Sequence, residues 1–336
     1  MRHFALSRSL GRHKTCPYIY CFVINIPSIS TAEDFARHFD AEFWRWFAET
    51  ICRRHNLSFR NLERSNGTEH IVFFVDDAFV IKIYTPFRGG FRREKAGLEF
   101  ARNKTSLILP EILFEGEIEN FKYLVLSRLE GVLMTREIWL GLETRKQIEV
   151  VSQLADGLKE LHSRDARAID FDWRKFIGHQ AATVIERQKA SGASLEWLER
   201  LPDYLAENLP LLPQDSGDVF LHGDVHFGNL RLLEAGGKWQ ISGLFDFADS
   251  LKGFREYDFV AVGVLMIQGQ SELQREFFRA YGYAENEIGE ILRRRLMLLT
   301  ILYECSSLRR YALRLKPEAM DLTLNELERA IWNFAG

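Results

Sequence analysis

Phe35, Phe39, Phe43 and Phe47 recur every four residues, and Trp46 and Ile51 widen the same stripe. That spacing predicts one or two amphipathic helices over 32–54, opened by Thr31 as N-cap with Glu33 and Asp34 in the first turn. From Leu57 the period shortens to two. Residues 57–64, 71–75 and 78–84 read as an antiparallel meander, bent at Ser65-Asn66-Gly67-Thr68 and at Asp76-Asp77. A helix is expected over 91–104, then strands over 109–113 and 121–129 about a Glu119-Asn120 turn. Past Gly131 the pattern becomes helical, with Ile148, Val151, Leu154, Ala155, Leu158 and Leu161 on one face before His162. Three short apolar strands follow at 219–221, 230–233 and 239–245, the last two joined by Gly236-Gly237, which supply the positive φ of a hairpin turn. Amphipathic helices are expected over 258–281, 285–313 and 318–334.

Composition narrows the class. The 336 residues are 46% hydrophobic and 27% charged, ordinary for a globular chain, and the length suits two lobes sharing one cleft. A net charge of −3 argues against a dedicated nucleic-acid binder. Cys16, Cys21, Cys52 and Cys305 are too few and too scattered for a disulfide framework. No apolar run is long enough to span a membrane, so a cytoplasmic setting is the default expectation. Residues 1–30 stand apart: Arg2, Arg8, Arg12 and Lys14 precede any acidic residue, and the segment is expected to be a poorly ordered basic extension.

The chemistry concentrates in 219–259. Asp224 and Asn229 flank one loop, Asp246 ends the strand 239–245, and all three are expected at the mouths of adjacent strands. Two carboxylates and a carboxamide so placed can bind a divalent ion and leave one carboxylate as a base. Two other readings of the stretch stand beside this one. It can be a hairpin with solvated polar ends, or, through His222, Asp224 and His226, a metal-dependent hydrolase, although no histidine follows Phe227.

His222, Gly223, Asp224 and Asn229 resemble the H-G-D-x-x-x-x-N loop of the aminoglycoside phosphotransferase family, and Leu244-Phe245-Asp246-Phe247 resembles its metal-binding strand end. The segment 253–259 matches the family's G-D-x-x-Y-D-L in part, with Phe254 in place of its first Asp. Trp173-Arg174-Lys175-Phe176-Ile177 is similar to a segment of hygromycin-type members. The resemblance implies an α+β, two-lobed protein-kinase-like fold, with an antiparallel-sheet lobe over 31–126 and a mainly helical lobe over 127–336. It implies transfer of the γ-phosphoryl group of ATP or GTP to a hydroxyl of a small molecule, an aminoglycoside or amino sugar among the candidates. Asp224 would act on that hydroxyl, and Asn229 and Asp246 would hold Mg²⁺.

Around the nucleotide the resemblance places the loop Ser65, Asn66, Gly67 and Thr68, then Lys82 paired with Glu94 (Glu99 second), and the crossing residues Ser127 and Leu129. Backbone groups of that crossing would read the purine, which leaves ATP and GTP undecided. Asp249, Glu256 and Glu304 are candidates for binding acceptor amines, while the runs Arg293-Arg294-Arg295 and Arg309-Arg310 read as solvated faces. No D-F-G and A-P-E pair is present, since Asp246-Phe247-Ala248-Asp249 runs on to Tyr257-Asp258, which argues against a protein substrate. A nucleotide-binding module without turnover is the non-enzymatic alternative.

Overall fold

The computed structural model describes residues 27–66, 69–166, 169–213 and 218–334. Gly67 and Thr68 of the expected phosphate loop, and nearly all of the basic extension, lie outside the described residues. The chain divides into two compact units: residues through Phe91 with Ile112–Arg128, and Arg92–Glu111 with Leu129–Gly336.

In the first unit the aromatic stripe forms α1 (Ala32–Arg37) and α2 (Phe43–Arg54). Thr31 and Asp34 close a reciprocal capping box at the start of α1. Phe35, Trp44 and Phe47 pack on Phe121 with ring centroids 6.2, 5.0 and 5.8 Å away. Five antiparallel strands lie in the order β1 (Leu62–Arg64), β2 (Ile71–Val75), β3 (Phe79–Ile83), β5 (Phe121–Ser127), β4 (Ile112–Ile118). Strand β1 is shorter than the expected 57–64, because the side chain of Asp76 takes the N–H groups of Arg60 and Asn61 and holds that segment as a loop. On β3, Ile81 and Ile83 belong to the aromatic core, so the period of two sends Lys82 to the other face. Lys82 is nonetheless buried, with Nζ 5.4 Å from the centroid of Tyr84. The solvated edge position open to it in the sequence is excluded.

The expected boundary between 126 and 127 lies near one junction of the units but misses the segment Arg92–Glu111. That segment carries most of α3 (Gly90–Ala101) and is fastened to the second unit. Phe100 stacks on Phe220 at 4.7 Å, Ser250 Oγ donates to the Arg93 carbonyl at 2.9 Å, and Leu244 N–H donates to the Ile108 carbonyl at 2.9 Å. A Cβ on Gly97 would come within 2.5 Å of Ser250 Oγ, so glycine sets how closely this helix docks.

The second unit is mainly helical: α4 (Arg136–Gly141), α5 (Thr144–His162), α6 (Trp173–Ala190), α7 (Leu195–Asn208), α8 (Asp258–Ala261), α9 (Ser271–Tyr281), α10 (Glu290–Leu302), α11 (Leu308–Leu315) and α12 (Leu324–Ile331). Strand β6 (Val132–Leu133) pairs with the hairpin β8 (Leu230–Ala235)–β9 (Lys238–Leu244), and β7 (Val219–Leu221) pairs with β10 (Leu251–Gly253). The three strands expected to be neighbours are therefore split between two sheets. The long helix expected over 258–281 is also broken, passing from α8 into a π-helical stretch Val262–Ile267 and then through left-handed Gln268 and Gly269. The arginine run on α10 is not a solvated face. Arg293 binds Glu328 at 2.9 Å, Arg294 binds Asn208 at 2.8 Å, and Arg295 forks onto Glu256.

Candidate active site

Strand β7 delivers His222, Gly223 and Asp224 into a loop whose backbone is clamped from below. The buried carboxylate of Asp258, at the start of α8, accepts the N–H of His222 at 2.9 Å and of Gly223 at 2.7 Å. It also accepts Nε2–H of His162 at 3.0 Å, and His162 Nδ1 lies 2.9 Å from the Tyr281 hydroxyl. Charge-assisted bonds to two successive amides fix the direction of the loop. Gly223 itself has φ +89° and passes so close to Asp249 that a Cβ would lie 2.2 Å from the Asp249 carbonyl oxygen.

His222 is wholly committed to the same frame. Its Nε2–H donates to the Phe245 carbonyl at 3.0 Å, so Nδ1 is the acceptor for the Asp224 N–H at 3.3 Å. Burial pushes its pKa down and keeps the ring neutral. His226 is equally occupied: Nδ1 accepts the Gly228 N–H at 2.9 Å, and Nε2 lies 3.2 Å from Asp224 Oδ2. Neither imidazole retains a lone pair for zinc, which removes the hydrolase reading.

Asp224 is held on both oxygens. Oδ2 takes His226 and, at 3.2 Å, Asn229 Nδ2; Oδ1 is 3.1 Å from the Tyr303 hydroxyl, whose single proton is shared with the Gly223 carbonyl at 2.5 Å. Burial by itself would raise its pKa. The hydrogen bonds it accepts from His226 and Tyr303 outweigh that and leave it below the usual carboxylate range. This is an ionised, oriented acceptor of hydrogen bonds, unlike the solvated turn residue of the hairpin reading.

Asn229 also donates Nδ2–H to the Asp224 carbonyl at 2.9 Å, which turns its Oδ1 the other way. Its own carbonyl accepts the Phe245 N–H at 3.0 Å, and Leu230 pairs with Leu244, so Asp246 follows two residues beyond that register. Asp246 adopts a left-handed conformation, φ 67°, tolerated by Asp better than by most side chains. A carboxamide oxygen and a carboxylate are oxygen donors of the kind that could hold Mg²⁺. Among the described residues no three His, Cys, Asp or Glu side chains gather as a metal site.

The remaining expected residues divide. Ser65 ends the β1 pairing by donating its N–H to the Val72 carbonyl at 2.9 Å, Asn66 is exposed beside it, and Ser127 closes β5 opposite Phe79. Glu94, on α3, and Leu129 are buried. Asp249 is half-buried in the 3-10 turn Phe247–Asp249. Glu304 is exposed in the turn after α10. Glu256 departs from its expected role: it is fully buried, accepts the Tyr283 hydroxyl at 2.8 Å and holds bidentately the Arg295 guanidinium, which lies over the ring of Phe254. A carboxylate so enclosed has no oxygen left for an acceptor amine. Trp173 and Phe176 pack edge-on to Tyr257 at 5.4 and 5.8 Å, so that segment anchors the start of α6.

Tyr303, Asp258 and His162 serve the loop without having been singled out for it. Tyr257-Asp258 lay in the partly matched segment 253–259, a usable signal for Asp258. Tyr303 lies 79 residues from Asp224 in the chain, and no local pattern marks it.

An antiparallel-sheet unit, a mainly helical unit and a clamped Asp–Asn loop define a kinase-like phosphotransferase. The model of the APH family, described as "Phosphotransferase enzyme family", matches residues 61–297, and the chain belongs to that family as a small-molecule phosphotransferase. Among solved structures, wild-type aminoglycoside 2'-phosphotransferase-IIIa with GDP matches at TM-score 0.64 and 13% identity, over 87% of this chain and 98% of that one. The streptomycin–ATP complex of APH(2")-IIa matches at TM-score 0.56 and 18% identity, over 86% and 98%. Aminoglycoside phosphotransferase APH(4)-Ia matches at 0.58 and 17%, over 87% and 100%. At these identities the structures speak for the fold. No curated protein matches the sequence significantly.

Proposed function

We propose that this protein transfers the γ-phosphoryl group of a Mg-bound nucleoside triphosphate to a hydroxyl of a small molecule in the cytoplasm. The carrying observation is Asp224, half-buried yet ionised, with Oδ2 fixed by His226 and Asn229 and Oδ1 beside the Tyr303 hydroxyl, on a loop clamped by Asp258. A carboxylate with a depressed pKa is a weak base. Its role is to orient the acceptor hydroxyl and take its proton late, as suits a loose phosphoryl-transfer transition state. Asn229 and Asp246 hold Mg²⁺, which when bound neutralises phosphate charge. Ser65, Asn66, Gly67, Thr68, Lys82, Glu94, Ser127 and Leu129 serve the nucleotide, ATP or GTP.

Aminoglycosides enter as acceptors through kinship with the phosphotransferases named above. With Glu256 committed to Arg295, Asp249 and Glu304 are the remaining candidates to be tested against amine-bearing acceptors. The decisive experiment measures ADP or GDP release by purified protein over hydroxylated acceptors that are cationic, neutral and anionic. Turnover with at least one acceptor, lost in Asp224→Asn, supports the reading; nucleotide binding without turnover on any acceptor favours a non-catalytic module.

A further inference from the structure

Helix α11, the π-helical stretch Val262–Ile267 and the turn Phe227–Asn229 pack together, and α4 joins them through the turn and through Trp139 Nε1–H, which donates to the Met266 carbonyl at 2.8 Å. Helix α4 carries Arg136 and α11 carries Arg310 and Arg314; the first two are exposed and Arg314 is half-buried. Arg136 follows Met134 by two residues, and the Met134 N–H is bonded to the carbonyl of Leu230, next to Asn229. Arg310 donates to the Cys305 carbonyl at 2.8 Å, two residues beyond the Tyr303 that touches Asp224. The two chain paths thus approach the catalytic loop from opposite ends, one at Asn229 and one at Asp224.

Arg314 is where they meet. It sits one helical turn past Arg310 on the same face of α11, and its Nη1 is sealed from solvent with no hydrogen-bond partner among the described residues. Burial and the positive charges of Arg310 and Arg136 all act against its charge, and no acidic side chain is among the groups acting on it. Arginine remains protonated under such pressure; the Arg136 charge also lowers the pKa of the exposed Glu137 beside it, so the cluster sets three positive charges against one negative. Like charges four apart on a helix are unfavourable, and an anion that joins them relieves the repulsion.

We infer that Arg136, Arg310 and Arg314 seat an anionic group, phosphate or carboxylate, borne by the acceptor, and that the molecule phosphorylated is an acidic hydroxylated metabolite rather than a polycation. Planar guanidinium forks match both oxyanions bidentately. The word acceptor here rests on the proposed role of Asp224; the anion seat rests on the arginines alone.

The test uses the full chain with the nucleotide site saturated by Mg²⁺ and a non-hydrolysable triphosphate, and inorganic phosphate as the probe. Titration should show phosphate binding that weakens about tenfold or more in Arg314→Gln and in Arg136→Gln. In phosphate-free buffer Arg314→Gln should melt at or above the wild-type temperature, because an uncompensated buried charge has been removed. In turnover, a sugar phosphate or sugar acid should exceed its neutral parent at least tenfold in kcat/KM, and Arg314→Gln should erase that preference. Phosphate binding indifferent to these substitutions overturns the inference, as does an amino sugar preferred over the matching acid. Arginine-dependent phosphate binding with no turnover on any acceptor keeps the anion seat and rejects the catalytic role of Asp224.

Discussion

The Tyr303 hydroxyl lies 3.1 Å from Asp224 Oδ1, across 79 residues of chain. Tyr303 caps the end of α10, and Arg187 of α6 secures it by donating to the carbonyls of Tyr303 and Glu304 at 3.0 and 2.8 Å. Two helices of the second unit, α6 and α10, thereby set the rotation of the carboxylate. With His226 and Asn229 both on Oδ2, the lone pair left for a substrate hydroxyl is on Oδ1, beside the phenol.

Tyr303→Phe keeps the ring and removes that donor. Misorientation of a reacting group costs up to about 10²-fold, so kcat should fall roughly ten- to a hundredfold with nucleotide affinity preserved. Asp224 acts as the carboxylate, and its donors lower its pKa, so wild-type turnover should persist into acid below the usual carboxylate range. Removing a donor raises that pKa and moves the acid limb of the rate profile to higher pH. An unchanged limb in Tyr303→Phe, measured beside His226→Gln, would count against the contact.

Asp224 and Asp246 should separate in calorimetry. Asp224→Asn removes the group that meets the hydroxyl, and loss of such a group costs about 10²–10⁴-fold in rate while Mg-nucleotide binding stays near normal. Asp246→Asn takes a charge from the proposed metal ligands, so Mg-dependent nucleotide binding should weaken together with turnover. Intact binding in both variants rejects this division of roles.

Asp258→Asn replaces an acceptor-only carboxylate with a group whose amide must face N–H donors. Breaking a buried charged network of this kind costs on the order of 3–5 kcal/mol, to be read from urea unfolding. Any active fraction should show lowered kcat, because the amides of His222 and Gly223 lose their anchor.

Glu256→Gln leaves Arg295 as a partly uncompensated charge and should destabilise by about the same 3–5 kcal/mol. Its effect on acceptor KM, at a temperature where the variant is folded, should be small. A large KM effect confined to amine-bearing acceptors would return Glu256 to the acceptor site.

The sequence disclosed what is local. A period of four in Phe35, Phe39, Phe43 and Phe47, a period of two around Lys82, and the Gly236-Gly237 turn each act within a few residues, and the elements they predict are present. The spacing from His222 to Asn229 is local too, since one short loop holds both. Pairing was not legible. Strand β7 finds β10 rather than the nearer β8, a choice made by the chain's return at Leu251–Gly253. Glu256 and Glu304 read alike as helix-adjacent carboxylates, yet one is sealed against Arg295 and the other is exposed. Burial of a charge depends on partners dozens of residues away, and a pattern within one element carries no trace of them.

The docking of Phe100 on Phe220 and of the Arg93 carbonyl on Ser250 also dictates an order of events during synthesis. Leu98, Phe100 and Leu107 leave the ribosome well over a hundred residues before Ser250 emerges. At ~5–20 residues per second that apolar segment waits on the order of ten seconds without its partners. A fragment ending after β5 keeps this segment and never receives the surface that covers it. Grafting the sheet-bearing unit onto another protein therefore means excising residues 92–111 or bringing β7 and the 247–250 turn along with it.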